Sequence, residues 1–317
     1  MPVRTIQSKD NARLKELRKA LAAPGRDARG LAGIEGPKML EEALRAGLRV
    51  AAVFVAQGSE ALLGAMALPA QTEILRVPWK LLDSALATET PQPVAALVEP
   101  PKCSWAHVLG DRPKAALVVV LAGIQDPGNL GTILRSAEAF GATGVVSLPG
   151  TVSAWNPKAV RASAGSVFRV PLVAMSEQEC FALLREARVR ILATTVCDAK
   201  PANRVDLTKP VALVIGNEGS GVAADLLAKA DAQITIPCPG PVESLNAAVA
   251  ASVLLYEAAR QRSAVDRPKG AEKSRSSVPI NSPTDPPYAV VSHPISAAAS
   301  RAEERMGHEG GNRGARR

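Results

Sequence analysis

Residues 211–221, Val-Ala-Leu-Val-Ile-Gly-Asn-Glu-Gly-Ser-Gly, form the stretch that says most about the fold of this chain. Its five consecutive apolar residues predict a strand that is buried on both faces, as in a covered parallel sheet. Three glycines then predict a tight loop, and a helix is expected over 221–229. Such a loop at the carboxyl end of a strand is a usual place for a nucleotide-like ligand, and a tight turn without a ligand is the alternative.

Apolar runs of the same kind recur through the second half of the chain, with amphipathic patterns between them. Further strands are predicted at 117–122, 144–146 and 191–193. Helices are predicted at 129–140, at 176–188 and, rich in alanine, at 244–262. This alternation predicts an α/β domain over 114–262, doubly wound around a mainly parallel sheet.

The first 105 residues predict a smaller α/β domain of their own. Helices are expected at 4–23, 37–47 and 59–67, with strands near 33–36 and at 50–55 and 73–77. Prolines cluster after residue 90, and we place the junction between the domains at 100–114. From residue 263 the periodicity ends, which predicts a disordered basic tail over 263–317 that is either merely solvated or a nonspecific RNA tether.

The positive charge of the chain is concentrated at its ends. Residues 1–30 hold eight Lys or Arg against three Asp or Glu, and residues 263–317 hold nine against six. The stretch between them, 31–262, holds 21 of each sign and is neutral. Basic ends on a neutral body fit a polyanion such as RNA, and a solvated amphipathic helix is an equal alternative. Aromatic residues make up only 3%, which argues against a surface built from several base-stacking platforms.

The cysteines and histidines do not predict a metal site. Four cysteines are widely and irregularly spaced, and the three histidines do not cluster beside them. We therefore expect no bound metal and no disulfide framework, with the cysteines as small core residues in a reducing cytoplasm. No apolar run of about 18 residues and no apolar amino-terminal segment occurs, so neither a membrane span nor a secretion signal is predicted.

Residues 125–135, Gln-Asp-Pro-Gly-Asn-Leu-Gly-Thr-Ile-Leu-Arg, lead from a predicted strand into a predicted helix. A Pro-Gly pair predicts a turn, and Asn129 then occupies the expected N-cap position of the helix. Gly131 permits close approach of another backbone. Arg135 carries a fork of donors that suits a phosphate or a carboxylate. A capped helix with a surface arginine is the alternative interpretation.

Residues 234–246, Ile-Thr-Ile-Pro-Cys-Pro-Gly-Pro-Val-Glu-Ser-Leu-Asn, lead from a short strand through a proline-stiffened loop to the last helix. Ser244 and Asn246 at a helix start are most often simple caps. The loop at 216–221 has neither the lysine and spacing of a P-loop nor the glycine spacing of a dinucleotide site. A triphosphate site and a Rossmann-type oxidoreductase are therefore disfavoured.

These three segments, in this order, resemble the signature motifs of the SpoU/TrmH family of RNA ribose 2′-O-methyltransferases, which belongs to the SPOUT class. The matching motifs are Asp-Pro-Gly-Asn-Leu-Gly-x-x-x-Arg, Gly-Asn-Glu-Gly-x-Gly, and Ile-Pro followed by Glu-Ser-Leu-Asn. Residues 160–166 also resemble the family, and the likeness covers 117–262. Residues 33–98 resemble its accessory substrate-binding domain, which is related to a small ribosomal-protein fold (L30e-like), through Ile-Glu-Gly-Pro at 34–37 and Thr-Pro-Gln-Pro at 90–93.

The resemblance implies S-adenosylmethionine as cofactor and a ribose 2′-hydroxyl of 23S-type ribosomal RNA as acceptor, with transfer RNA as the alternative. It also implies a homodimer and a carboxyl-terminal segment folded into a deep trefoil knot. The residues implied in cofactor binding are Thr194, Gly216, Asn217, Gly219, Ile236, Ser244 and Leu245. The residues implied in catalysis are Asn129, Arg135, Glu218, Ser244 and Asn246. The candidate RNA contacts are Arg13, Arg18, Lys38, Arg135 and Arg161.

The roles of two catalytic candidates stay open at this point. The family's suggested base is Arg135, but a guanidinium remains protonated, so we expect it to hold an RNA phosphate and stabilise developing charge. Glu218 is either the base or an anchor for its loop, and Asn129 would orient Arg135 or the ribose. A non-catalytic RNA-binding or ribosome-assembly protein of the same fold is the alternative function, and the intact motifs disfavour it.

Overall fold

The computed structural model describes residues 3–22, 26, 29–86, 88–111, 115–196 and 199–265. Two β-sheets organise this part of the chain, one within residues 3–98 and the other within residues 117–235. The predicted tail lies outside the described residues from residue 266 onward. Its first three residues belong to the last helix, which continues to Val265 because no proline or glycine interrupts it there.

The first sheet mixes parallel and antiparallel pairs. Its strands are β1 (Val3–Thr5), β2 (Ala32–Glu35), β3 (Val50–Ala56), β4 (Glu73–Val77) and β5 (Val94–Val98), in the spatial order β1-β4-β3-β5-β2. The accompanying helices are α1 (Ala12–Leu21), α2 (Pro37–Arg45) and α3 (Trp79–Asp83), and α4 (Trp105–Leu109) follows. The strands expected at 50–55 and 73–77 and the helix expected at 37–47 are present.

Two helices expected near the amino terminus are wrong as predicted. Residues 3–5 form a strand because they pair in parallel with β4. Helix α1 begins only after Asn11, whose side-chain oxygen accepts a hydrogen bond from the Arg13 backbone N–H at 2.9 Å. The helix expected at 59–67 is a single 3-10 turn, Glu60–Leu63, and the glycine that follows it has a low helix propensity.

The second sheet confirms the predicted parallel architecture. Its strands are β6 (Leu117–Ala122), β7 (Gly144–Ser147), β8 (Leu172–Ala174), β9 (Arg190–Thr194), β10 (Lys200–Pro201), β11 (Val211–Gly216) and β12 (Ala232–Thr235). All neighbouring strands pair in parallel, in the order β10-β12-β9-β11-β6-β7-β8. The predicted strands at 117–122, 144–146, 191–193 and 211–215 are β6, β7, β9 and β11.

Helices pack on both faces of this sheet, as its buried strands require. They are α5 (Pro127–Ala139), α6 (Pro157–Ala162), α7 (Glu177–Glu186), α8 (Ala224–Lys229) and α9 (Ala247–Val265). The chain runs outward from β6 through β7 and β8 and then crosses to β9 beyond β11. This reversal between β6 and β11 makes a topological switch point, where ligands of α/β proteins commonly bind beyond the carboxyl ends of the strands.

One continuous buried cluster contains residues from both sheets and their helices. It includes Leu40 of α2, Leu117 of β6, Leu130 of α5 and Leu254 of α9, each no more than 1% exposed. A second cluster on the other face of the second sheet includes Cys180. The boundaries predicted at 1–105 and 114–262 remain a prediction, since the shared cluster alone does not define domains.

The carboxyl end of α9 is fixed by main-chain contacts. The half-buried guanidinium of Arg262 donates hydrogen bonds to the carbonyl oxygens of Leu207, Ala116 and Lys209 at 2.9, 3.1 and 2.9 Å. These carbonyls belong to the segments that lead into β6 and β11. One side chain therefore holds the last helix to the entry of the two central strands.

Candidate active site

A cavity of about 710 Å³ opens at the carboxyl ends of β9, β11 and β12. All seven residues implied in cofactor binding line it: Thr194, Gly216, Asn217, Gly219, Ile236, Ser244 and Leu245. The structure also places there residues that sequence reasoning missed, among them Val222, Leu227 and Leu254. No motif marks these three residues, because they are ordinary apolar positions whose place in the cavity depends on the fold.

The charge of the cavity lining restricts its ligand. Among its described lining residues, Glu218 and Glu243 are the only ones with an ionisable carboxylate, and none is Lys, Arg or His. A triphosphate or a pyrophosphate would lack a cationic partner in such a lining. A small ligand with a net positive charge, such as a sulfonium with an amino-acid end, fits both the volume of the cavity and the negative charge of its lining.

The loop after β11 is a tight, internally bonded turn. The backbone of Asn217 and the backbone of Gly221 exchange two hydrogen bonds at 3.0 Å, and Gly221 has φ +67°. A Cβ on Gly216 would lie 2.2 Å from the carbonyl carbon of Gly221, so only glycine fits there. The Asn217 side chain accepts the Gly219 N–H at 2.8 Å and donates to the Gly123 carbonyl at 2.8 Å, which ties this loop to the one after β6.

The start of α5 differs from the predicted cap. Asp126, not Asn129, is the N-cap, and its carboxylate accepts the backbone N–H of Asn129 at 2.9 Å. Pro127 then takes the first helical position. Its lack of a backbone N–H costs nothing there, because an N–H at this position has no partner within the helix. The hydrogen bond from Lys158, at 2.9 Å, holds the pKa of the Asp126 carboxyl below its ordinary value, with help from the Asn129 amide and against a small effect of burial.

The close approach expected at Gly131 is present. A Cβ at this position would lie 2.4 Å from the Ala159 carbonyl oxygen and 2.6 Å from the Ala162 Cβ. Helix α6 therefore lies directly against α5 at this point. The segment at 160–166, which the sequence singled out, begins in this contact.

A chain of side-chain hydrogen bonds connects the three signature segments. The amide nitrogen of Asn246 donates to the Asn129 side-chain oxygen at 3.0 Å. The amide nitrogen of Asn129 donates to Oε1 of Glu218 at 2.8 Å. Asn246 also caps α9, since its oxygen accepts the backbone N–H of Ala248 at 2.9 Å. Three loops that are far apart in the sequence are thus held in one arrangement beside the cavity.

Glu218 is a well-satisfied carboxylate. Burial raises its pKa, but the hydrogen bonds from Asn129 and from the backbone amides, including those of Gln125 and Asp126, outweigh this and bring the pKa below its ordinary value. The side chain is therefore ionised at neutral pH and acts as an acceptor for the motif-one loop. A low pKa makes it a weak proton acceptor, which favours anchoring over general-base catalysis.

The basic candidates for RNA binding differ in whether carboxylates of the same chain already pair with them. Arg135, Arg18, Lys38 and Arg161 are exposed, and within the described part of the chain no ion pair engages them. Arg13 instead contacts Glu16 and Glu73 at 3.0 and 2.8 Å, so an RNA phosphate would compete with two carboxylates for it.

The cysteines only partly match the expectation of core residues. Cys180 is buried, and burial raises the pKa of its thiol to about 12, so it is an inert thiol at neutral pH. Cys238 is exposed and lines the cavity, and Cys197 lies outside the described residues. No group of three or more His, Cys, Asp or Glu in the described ranges is arranged to hold a metal. None of the helices described here combines the length and apolar character that a bilayer crossing requires.

Two family models and a curated relative match this chain. The SpoU rRNA Methylase family model matches residues 116–256, and a model of the MRM3-like substrate binding domain matches residues 11–96. A curated relative, the 23S rRNA (guanosine(2553)-2′-O)-methyltransferase RlmP of Bacillus subtilis (strain 168), is 33% identical over 258 residues. This alignment covers 80% of this chain and 98% of that protein.

Solved structures give the same assignment. A crystal structure of an RNA 2′-O ribose methyltransferase is 33% identical with a TM-score of 0.69, covering 82% of this chain and 99% of that one. The SpoU methyltransferase AviRb from Streptomyces viridochromogenes, crystallised with the cofactor AdoMet, is 29% identical with a TM-score of 0.72, covering 80% and 98%. With the cavity lined by the second and third motifs, these matches show that the chain belongs to the SpoU rRNA methylase family.

Proposed function

We propose that this protein transfers a methyl group from S-adenosylmethionine to a ribose 2′-hydroxyl of ribosomal RNA. The observation that carries the proposal is a cation-compatible cavity lined by the second and third signature segments, with the first segment held beside it by the Asn246–Asn129–Glu218 hydrogen-bond chain. The 23S ribosomal RNA named for the RlmP relative makes large-subunit RNA the preferred substrate. Such a substrate would put the enzyme in the cytoplasm.

The cofactor would be held by the cavity residues already named. Backbone groups at Gly216, Ile236 and Leu245 would read the adenine edge, while the Ile236 and Leu245 side chains supply apolar walls. Glu218 and Glu243 would favour the net positive charge of the ligand. When bound, S-adenosylmethionine supplies an electrophilic methyl, so the chain's main task is to align the acceptor oxygen with it.

The catalytic residues divide into a charged contact and a positioning frame. Arg135 lies six residues after Asn129 on α5, about 9 Å further along the helix axis. We assign it to an RNA phosphate and to developing charge near the acceptor, because its guanidinium is exposed and permanently protonated. Glu218, Asn129 and Asn246 would fix the start of α5, and Ser244 would shape the adjacent cavity wall.

The RNA would also contact the accessory part of the chain. We propose that residues 33–98 form an L30e-like substrate-binding domain, which the MRM3-like match to residues 11–96 supports. Lys38, Arg161 and Arg18 are exposed cations that would meet phosphates, and Arg13 would contribute less because Glu16 and Glu73 already neutralise it.

We propose a homodimer built on α9 and a knotted carboxyl-terminal segment. Val249, Val253 and Tyr256 recur at helical spacing on α9 and are 48%, 40% and 56% exposed, which supports a covered apolar stripe. After β12 the chain enters α9, which packs on α5. The carboxyl end of α9 returns to the entry of β6, where Arg262 donates to the Ala116 carbonyl. This path supports a trefoil knot.

The experiment that tests the function combines binding and turnover. Isothermal titration with S-adenosylmethionine should give one site per chain, and ribosomal RNA from cells lacking the protein should accept labelled methyl groups. Cofactor binding without transfer to any ribosomal RNA would count against this substrate. No cofactor binding would instead favour a non-catalytic RNA-binding or ribosome-assembly role.

A further inference from the structure

The reaction outlined above does not use an ion-pair cluster that joins α2 to α5. Arg169 follows a 3-10 helix, Ser166–Phe168, and contacts carboxylates on two different helices. Its Nη1 donates to Oε2 of Glu42 on α2 at 2.8 Å, and its Nε and Nη2 donate to the two oxygens of Glu138 on α5. One guanidinium therefore links the accessory part of the chain to the helix that carries Arg135.

Tight packing holds this contact in one geometry. Gly165 has φ +90°, and a Cβ there would lie 2.9 Å from the Cβ of Glu42. The Arg169 side chain is 35% exposed and that of Glu42 only 17%, so the pair is partly shielded from solvent. The hydrogen bond from Arg169 lowers the pKa of Glu138 although burial opposes it, which keeps this carboxylate charged at neutral pH. A bidentate guanidinium contact fixes orientation as well as distance.

The two carboxylates stand one helical turn from two proposed RNA contacts. Lys38 precedes Glu42 by four residues on α2, and Arg135 precedes Glu138 by three on α5. Residues at these spacings share a helix face. We propose that Arg169 is a positioning residue that fixes the distance between the Lys38 and Arg135 contacts and so aligns the target ribose of a bound RNA with the methyl donor. This inference rests on the proposed function.

The decisive variant is Glu42→Gln, because it weakens the link, keeps Arg169 in place and does not change side-chain volume. The assay uses tritiated S-adenosylmethionine and ribosomal RNA purified from cells lacking the protein. We expect kcat to fall at least fivefold, since bound RNA is aligned for less of the time, while KM for RNA changes less than twofold. Arg169→Gln should show the same split. Arg169→Lys should lose less because it keeps the positive charge, but it should not reach the wild-type kcat because an ammonium cannot hold both carboxylates in a fork.

Arg45→Gln is the matched control. It removes two ion pairs that stay within α2, to Glu42 at 3.0 Å and to Glu41 at 2.6 Å. This variant should keep the wild-type kcat and KM. Cofactor affinity should match the wild type in every variant, and melting temperatures should show that every variant is folded at the assay temperature, which separates positioning from a general loss of structure.

The opposite kinetic pattern would overturn the inference. If Arg169 only bound an RNA phosphate, Glu42→Gln would free it, and KM for RNA would fall while kcat stayed constant. If the wild-type enzyme is active and Glu42→Gln keeps the full kcat, the positioning role is refuted while the proposed function is not affected. A wild-type enzyme that methylates none of this RNA refutes the proposed substrate, and the inference with it.

Discussion

Replacing Gly216 by alanine tests the cavity at its tightest point. The added methyl carbon would lie 2.2 Å from the carbonyl carbon of Gly221 and 2.3 Å from the backbone nitrogen of Val222, both main-chain atoms that no rotamer change can move away. Ordinary carbon contacts need about 3.5 Å, so the loop must shift by roughly 1 Å. That shift breaks the two backbone hydrogen bonds between Asn217 and Gly221, each worth about 1 kcal/mol.

Loss of both bonds costs the loop about 2 kcal/mol. Since the bound cofactor requires the native loop, this cost is subtracted from the binding free energy and corresponds to more than a tenfold loss of affinity. Isothermal titration should therefore show S-adenosylmethionine binding at least ten times more weakly to Gly216→Ala than to the wild type. Gly240→Ala is the matched control, because its methyl would meet no atom within 4 Å in the loop after β12. Wild-type affinity in Gly216→Ala, or an equal loss in both variants, would refute the assignment of this loop.

Three further predictions concern single side chains. Arg135→Ala should lose nearly all turnover and keep cofactor affinity, and a variant with wild-type rates would remove Arg135 from the reaction. The Glu218 carboxyl has a pKa below its ordinary value of 4.5. Its contribution to stability is therefore complete above pH 4.5 and is lost as the pH falls through the pKa of the folded state. Between pH 6 and pH 3, the melting temperature of Glu218→Gln should therefore drop less than that of the wild type. Arg262→Ala should lower the free energy of unfolding by about 1–3 kcal/mol, measured by urea denaturation, because it removes the donors to three main-chain carbonyls, two of them in the buried residues Leu207 and Ala116. An unchanged midpoint would contradict this.

Four strands of the second sheet, β6, β7, β9 and β11, were predictable because burial on both faces leaves a continuous apolar run, whereas the short and partly exposed strands β8 and β10 lack this signal and were missed. Residues 117–122 and 211–215 carry this signal, and both form central strands. The convergence of the signature loops was also predictable, since the carboxyl ends of parallel strands share one edge. Local rules failed where a tertiary partner decided the outcome. Residues 3–5 pair with β4 rather than extending α1.

Side-chain partnerships across long stretches of sequence could not be foreseen. Asp126 and Asn129 both suit an N-cap, and only the coordinates show that Asn129 instead bridges Glu218 and Asn246. The Arg169 cluster joins residues 127 positions apart, at a spacing that carries no periodic signal. Arg13 lies in a basic stretch that suggests an RNA contact, but its guanidinium forms an ion pair with Glu73 of β4.

The most direct test of the central claim is the identity of the methylated product. Purified protein, labelled S-adenosylmethionine and ribosomal RNA from cells lacking the protein are incubated together, and the RNA is digested to nucleosides for mass spectrometry. The convergent loops and their cation-compatible cavity predict label in a single 2′-O-methylnucleoside. Label in a methylated base, or none in an assay where the protein binds the cofactor, would contradict the account.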